Sequence, residues 1–163
     1  MIVPPARTGF WRRRIVDPVV ALLRQGVTPE KIALGMALGI AIGMAPMIGS
    51  TTILCGVAAL LLRLNPAAIQ IVNYLMSPLQ LALLVPFIRA GEWVFGTKHK
   101  PLTLDGIRQL VQANLWSAIV DLWTVTIHAM AVWLGVAAIV SFFFYWVLLG
   151  PIRTLARLRG GAR

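Results

Sequence analysis

The stretch Ala45-Pro46-Met47-Ile48-Gly49-Ser50-Thr51-Thr52 lies in the middle of residues 32–62, a run of thirty-one residues without a charge. As one straight helix this run would be about 46 Å long, against a bilayer hydrocarbon core of about 30 Å. Proline removes a helix hydrogen bond, glycine adopts non-helical backbone angles, and serine or threonine can cap a new helix. The stretch therefore predicts a break between two helices, one over 29–45 and one over 51–63.

Charge and hydropathy indicate an integral membrane protein. Of the 163 residues 59% are hydrophobic, the mean hydropathy is +0.83 and the formal net charge is +10. Fourteen of the fifteen Lys and Arg lie within 1–31, 89–108 and 153–163, which leaves Arg63 as the only charge between residues 32 and 88. This composition excludes an ordinary soluble globule and a disordered chain. Long uncharged runs bounded by basic residues are typical of membrane-spanning chains.

A second break is predicted at Ser77-Pro78. Asn65-Pro66 begins a helix, and Ser77-Pro78 interrupts it and begins another over 78–95. If the turn Arg63-Leu64-Asn65 reverses the chain, each break lies about 18–22 Å from that turn. The two breaks are therefore expected to meet at similar depth inside the bilayer.

The remaining segments complete an all-α, polytopic membrane fold with Pro- and Gly-broken helices. We predict a basic arm with a short interfacial helix over 1–27, a helical membrane domain over 28–150 and a basic tail over 151–163. The membrane domain divides into a broken hairpin (29–95), a polar loop (96–105) and helices over 106–150. Gly150-Pro151 is expected to end the last helix, and its aromatic residues suit interfacial belts: Trp123, Trp133, Tyr145 and Trp146.

Both ends of the chain are strongly basic, which predicts that both are cytoplasmic and that the number of crossings is even. Two arrangements satisfy this requirement. Either 107–150 forms a two-helix hairpin, or one of the broken stretches is re-entrant. The sequence leaves both open.

The candidate binding residues lie at the two breaks and at the turn between them. Backbone groups at a break must be buried in protein or line a wet cavity, because hydrocarbon leaves them unsatisfied. Helix N-termini attract anions, and many transporters build binding sites from discontinuous helices. Structural kinks with self-satisfied caps are the alternative. The candidates are Pro46, Gly49, Ser50, Thr51, Thr52, Arg63, Asn73, Ser77, Pro78 and Gln80.

Other residues favour packing or anchoring roles. Gly35, Gly39 and Gly43 share one helix face, and small residues at this spacing let helices approach closely in lipid. Arg63 is expected to anchor a turn at the interface, or to recognise a lipid phosphate. His128 can hydrogen-bond a neighbouring helix or take part in proton movement. No spacing of metal ligands and no nucleic-acid motif is present, so neither a metal, a cofactor nor nucleic acid is expected.

The chain resembles a known family at residues that include both breaks. Over about residues 15–150 the sequence is similar to the DUF2062 family of small bacterial membrane proteins. The similar residues are Thr28-Pro29-Glu30-Lys31-Ile32-Ala33-Leu34-Gly35, the later glycines and prolines, the Arg63-Leu64-Asn65 turn and Ser77-Pro78. That family commonly has Asn where this chain has Ser77. The resemblance implies a bacterial inner-membrane location and brings no established activity. Some relatives are joined to glycosyltransferase-type domains, which implies a link to envelope lipid or glycan metabolism.

Three functions are weighed from these features. The first is a small transporter or lipid-handling protein, working as a homo-oligomer, whose site at the breaks binds anionic lipid head groups. The alternative is a non-catalytic membrane subunit that scaffolds an envelope-synthesis enzyme through the face of Gly35, Gly39 and Gly43. An intramembrane hydrolase using Ser50 and His128 is chemically possible but lacks the nucleophile-elbow pattern, so an enzyme is not expected.

Overall fold

A computed structural model describes residues 27–47, 49–97 and 115–160 of the chain. These residues form five helices and no strand: α1 (Pro29–Gly43), α2 (Thr51–Leu61), α3 (Pro66–Leu75), α4 (Ser77–Val94) and α5 (Leu115–Gly160). The all-α prediction is confirmed. The predicted arm up to residue 26, with its interfacial helix, and residues 98–105 of the predicted loop lie outside the described residues.

Helices α1 and α3, which have proline in their first turn, begin where the sequence predicts. The Thr28 hydroxyl accepts a hydrogen bond from the Lys31 N–H (3.4 Å) at the start of α1. The Asn65 side-chain oxygen accepts from the N–H groups of Ala67 (2.9 Å) and Ala68 (3.2 Å) at the start of α3. In both helices proline occupies the first turn, where its missing N–H costs no hydrogen bond.

The turn between α2 and α3 reverses the chain. The Leu64 N–H donates to the Ala59 carbonyl (2.8 Å) and the Arg63 N–H to the Leu60 carbonyl (3.3 Å), the two bonds of a Schellman motif. Arg63 has a φ of 51° at the position that usually holds glycine. The end of α2 then lies beside the start of α1, since Leu62 and Leu64 line a cavity together with Glu30, Lys31 and Leu34. We call this the basal end of the molecule, marked by Glu30, Leu62 and Leu64.

The helices α1 and α2 thus run out from the basal end and return to it, and α3 then runs alongside α1 in the same direction. Gly39 of α1 lies against Ile69 and Val72 of α3, and one turn later Gly43 lies against Met76. The axes of α3 and α4 then diverge by 63°. The pair α3–α4 therefore carries the chain from the basal end to the opposite end of the molecule, which we call the far end.

Helix α5 returns the chain to the basal end, antiparallel to α1. At the far end, Gly91 of α4 packs on the backbone of His128 and Ala129. Closer to the middle, Ala41 of α1 and Ala45 just beyond its end pack with Phe87, Ala129, Trp133 and Ala137. At the basal end, Ile32 and Ala33 pack against Leu149 and Ile152, and Arg153 forms an ion pair with Glu30 (2.9 Å). Both described ends of the helical domain therefore lie at the basal end.

Of the two arrangements that the sequence leaves open, a two-helix hairpin in 107–150 does not fit the described residues, because 115–160 form one helix. The predicted boundary at Gly150-Pro151 is wrong: the helix continues through Pro151 to Gly160. Pro151 and Val147, whose carbonyl the proline frees, are both exposed. The last turns are instead held by burial of Ile152 and by the Arg153–Glu30 pair.

Among the described residues, one helical segment, Ile119–Leu158, is long and apolar enough to cross a membrane. The bent pair of Pro66–Leu75 and Ser77–Val94 passes the same test when it is counted as one span. Large apolar side chains are exposed along the outer faces of α2, α4 and α5, among them Leu60, Leu61, Leu81, Trp93, Ile139, Phe142 and Trp146.

Candidate binding site at two helix breaks

The first break connects α1 to α2 through residues 44–50. Met44 caps α1 with backbone bonds to the Ala41 and Ile42 carbonyls, and the Met47 N–H donates to the Ala45 carbonyl (2.8 Å). Gly49 has a φ of +91°, which a residue with a side chain rarely adopts. The glycine therefore permits the reversal from α1 into α2.

Two side chains from other helices donate hydrogen bonds to this break. The Gln80 side-chain NH₂ group donates to the Ala45 carbonyl (2.9 Å) and to the Met47 carbonyl (3.0 Å). The Trp133 indole N–H donates to the Ala41 carbonyl (2.9 Å). Gln80 and Trp133 are both buried. One carbonyl group in the last turn of α1 and two in the first break thereby accept hydrogen bonds from side chains that lie 33 to 92 residues away along the chain.

The second break lies directly against the first. A Cβ added at Gly43 would meet the Met76 Cβ at 2.7 Å and the Asn73 carbonyl at 3.1 Å. Met76 both ends α3 and precedes α4, and Gln80 lies in the first turn of α4. The structure therefore brings together the ends of α1 and α3 and the start of α4.

Two buried oxygen atoms at this junction have no hydrogen-bond partner in the described part of the chain: Ser50 Oγ and Asn73 Oδ1. Ser50 precedes α2 with helical backbone angles (φ −80°, ψ −16°), so its hydroxyl does not cap the helix. The first N–H groups of α2 consequently lack the acceptor that a serine normally supplies there. Asn73 is 3% exposed and adjoins Gly43. The junction thus offers hydrogen-bond donors at α2 and a free acceptor at Asn73.

The other candidates differ in how closely they approach this junction. Thr51 is buried, whereas the Thr52 hydroxyl accepts a hydrogen bond from the Gln70 amide (3.1 Å) at the surface. Ser77 is half-buried and Pro78 is exposed, while Pro46 is buried within the first break. Arg63 lies in the turn at the basal end, away from both breaks.

The predicted glycine face is an internal packing surface. A Cβ at Gly39 would lie 2.7 Å from the Ile69 carbonyl and 2.9 Å from the Val72 Cβ, so α3 already covers Gly39 and Gly43. At Gly35 an added Cβ would meet no atom within 4 Å. The proposed docking of a partner protein on this face is therefore wrong for Gly39 and Gly43, since the chain's own α3 occupies it.

Trp133 was expected at a membrane interface and is instead part of the core. It is 8% exposed and follows Val125 and Ala129 and precedes Ala137 at a spacing of four residues, all buried. That spacing marks one helix face and was visible in the sequence. Gly91 permits the contact between α4 and α5, since it lies against His128 and Ala129. The sequence does not predict this role, because a single small residue on α4 forms no repeating pattern.

His128 contacts an aromatic ring. It stacks on Phe95 at the end of α4, with ring centroids 4.3 Å apart and an interplanar angle of 8°. Since Ser50 Oγ has no hydrogen-bond partner among the described residues, the Ser50–His128 bond that a nucleophile would need is not formed. The described residues also contain no group of three or more His, Cys, Asp or Glu that could hold a metal ion.

Ion pairs lie at both ends of the helical core. At the basal end, backbone N–H groups at the start of α1 and the Arg153 guanidinium lower the pKa of Glu30. This ion pair is therefore complete at neutral pH and is lost as the pH falls through that lowered pKa. Towards the far end, the buried Glu92 carboxylate accepts a hydrogen bond from Arg89 (2.8 Å).

Comparison with known proteins identifies a family. The family model described as "Uncharacterized protein conserved in bacteria (DUF2062)" matches residues 12–160. None of the curated proteins matches the chain, and no solved structure does.

Proposed function

The chain belongs to the DUF2062 family of proteins conserved in bacteria, and on that premise we propose that it is a polytopic protein of the cytoplasmic membrane that binds an anionic polar group at its paired helix breaks. In this proposal the protein moves a small solute or handles a lipid through its head group. The observation that carries the proposal is the pair of buried oxygens at the breaks, Ser50 Oγ and Asn73 Oδ1, that have no partner among the described residues, together with the uncapped start of α2 after Ser50.

The helix directions support a membrane topology with two crossings. The bent pair α3–α4 leads from the basal end to the far end, and α5 returns. The helices α1 and α2 enter and leave at the basal end, so they form a re-entrant hairpin in this topology. Helix α1 is about 22 Å long, so the first break reaches well into a hydrocarbon core of about 30 Å. Of the two arrangements that the sequence left open, this is the one with a re-entrant segment.

The hydrogen bonds at the breaks indicate which ligands suit them. The carbonyl groups of Ala41, Ala45 and Met47 already accept bonds from Trp133 and Gln80, which disfavours a cation site built from backbone carbonyls. The groups that remain are the N–H groups of the first turn of α2, the Ser50 hydroxyl and the Asn73 oxygen. Helix N-termini favour anions, and an acceptor such as Asn73 suits a ligand that also carries a hydroxyl or a proton.

Cysteine accessibility tests this proposal. In a Cys55→Ala background, single cysteines at Ser50 and Pro78 are treated with a membrane-impermeant maleimide in inverted and right-side-out vesicles. Both are expected to react at least about tenfold faster than cysteines at Leu60 and Leu83, because an unpaired backbone group in dry hydrocarbon costs several kcal/mol. Leu60 is 77% exposed, so its protection also reports contact with lipid.

Two outcomes would contradict the proposal. If the cysteines at Ser50 and Pro78 react as slowly as those at Leu60 and Leu83, the breaks are dry, packed kinks, and the binding function is contradicted. If the cysteine at Leu60 reacts rapidly as well, α2 lies in water, and the membrane topology fails together with the site.

A further inference from the structure

A second polar feature lies at the basal end, far from the helix breaks. An open cavity of about 280 Å³ lies between the start of α1, the α2–α3 turn and α5. Its lining residues are Glu30, Lys31, Leu34, Leu62, Leu64 and Tyr145. This volume lies slightly below the range of about 300–1,000 Å³ that is usual for sites of drug-sized ligands, and so suits a compact head group.

Positive charge predominates around this cavity. Lys31 lies in its wall, and Arg63 lies between the lining residues Leu62 and Leu64. Neither side chain forms an ion pair with any residue that the structure describes, whereas the one carboxylate, Glu30, is bonded to Arg153. Lys31 in the wall and Arg63 in the adjoining turn thus place two positive charges at an apolar-walled opening, an arrangement that favours a phosphate over a neutral group.

Apolar surface continues from the cavity along α2. Leu60 and Leu61 are each 77% exposed and directly precede the lining residue Leu62. A free phosphate ion would leave this surface unused, whereas the acyl chains of a lipid would cover it. Cations, cavity and apolar helix face therefore lie side by side. This arrangement matches the phosphate and the acyl chains of a phospholipid at a membrane interface.

We propose that the cavity at the basal end binds the phosphate of an anionic phospholipid, held by Lys31 and Arg63, with its acyl chains along the exposed face of α2. This inference rests on the membrane topology proposed above and not on the site at the breaks. The Schellman turn fixes the Arg63 backbone between the lining residues Leu62 and Leu64, within reach of the opening for a side chain as long as arginine.

Native mass spectrometry of the detergent-solubilised full chain tests this inference with phosphatidylglycerol, phosphatidylcholine and inorganic phosphate as probes. The wild type is expected to retain phosphatidylglycerol about tenfold more than phosphatidylcholine. The double variant Lys31→Gln/Arg63→Gly is expected to lose that preference. Glycine at position 63 keeps the positive-φ turn, so the variant retains the fold, which far-UV circular dichroism and the elution volume verify.

Arg157→Gln is the matched control, since Arg157 is exposed on the last turns of α5 and does not line the cavity. It removes one charge from the same part of the molecule and is expected to preserve the lipid preference. The proposal is overturned if the double variant keeps the preference, if Arg157→Gln abolishes it, or if millimolar phosphate displaces the lipid. The cysteine experiment at the breaks is independent of these outcomes, so either proposal can fail alone.

Discussion

Asn73 and Gln80 carry the same functional group and lie on opposite sides of one helix bend, yet their hydrogen bonding differs. The Gln80 amide donates to two carbonyl groups of the first break, while the Asn73 amide oxygen is buried without a partner. A buried polar atom without a partner costs about 1–3 kcal/mol. A stable fold retains such a cost when the group serves a ligand. Replacing each of the two residues by leucine is therefore expected to change the free energy of unfolding in opposite directions.

The variant Asn73→Leu is expected to raise the free energy of unfolding by about 1 kcal/mol, because an unsatisfied oxygen is replaced by apolar atoms of similar volume. Gln80→Leu is the matched control and is expected to lower it by about 1–3 kcal/mol, since the Met47 carbonyl loses its side-chain donor and the Ala45 carbonyl keeps only the Met47 N–H. Unfolding in mixed micelles with increasing dodecyl sulfate measures both. Equal destabilisation by the two variants would show that the Asn73 oxygen has a partner in the membrane-embedded protein.

At the scale of helices, α1 is the element around which the others pack. Gly39 and Gly43 face α3, whereas Ala33 and Ala41 pack against α5, as does Ala45 just beyond the end of α1. In lipid such close approach replaces the hydrophobic driving force that water supplies to soluble proteins. The contact is asymmetric along the helix, because only Gly39 and Gly43 are in tight contact.

We expect Gly39→Ala to destabilise the protein by about 1–3 kcal/mol. The new methyl would lie 2.7 Å from the Ile69 carbonyl, which belongs to the α3 backbone and cannot turn away. Gly35→Ala, on the same face, is expected to be neutral or to stabilise by up to about 1 kcal/mol, since its methyl meets no atom within 4 Å and alanine favours helix. Thermal unfolding in detergent, followed by circular dichroism, distinguishes the two. A loss of stability in Gly35→Ala equal to that in Gly39→Ala would contradict the packing of α1 on α3.

At the scale of the whole molecule, the direction of each helix decides which segments lie on the same side of a membrane. The start of α1, the α2–α3 turn and the end of α5 meet at the basal end, while Thr97 follows α4 at the far end. The basal end also carries Lys31, Arg63, Arg153 and Arg157, so in the proposed membrane topology the positive-inside rule places this end in the cytoplasm.

Impermeant thiol labelling of intact cells is therefore expected to reach a cysteine at Thr97 and to spare cysteines at Thr28, Arg63 and Arg157 until the membrane is permeabilised. All four are placed in the Cys55→Ala background. Position 63 decides between the two topologies: labelling from outside would mean that α1 and α2 together cross the membrane once instead of forming a re-entrant hairpin. Labelling at positions 28 and 157 from opposite sides would contradict the antiparallel packing of α1 and α5.

The sequence by itself determined the local features of this protein. The caps Thr28 and Asn65, each followed by proline, place the starts of α1 and α3, and Pro46, Gly49 and Ser77-Pro78 mark where helices end, because these effects act within a few residues. The apolar runs also predict an all-α chain. The family was identified from the same local residues, and the family model matches over 12–160.

Only the tertiary structure decided how these pieces are used. Whether Pro151 ends α5 depends on the burial of Ile152 against Ile32 and on the pair of Arg153 with Glu30, more than a hundred residues away in the chain. Whether the carbonyls of the first break are satisfied depends on Gln80 and Trp133, which approach it from α4 and α5. Such contacts depend on helix directions and register, which local sequence patterns do not encode, because a break or a cap is the same whichever helix later packs against it.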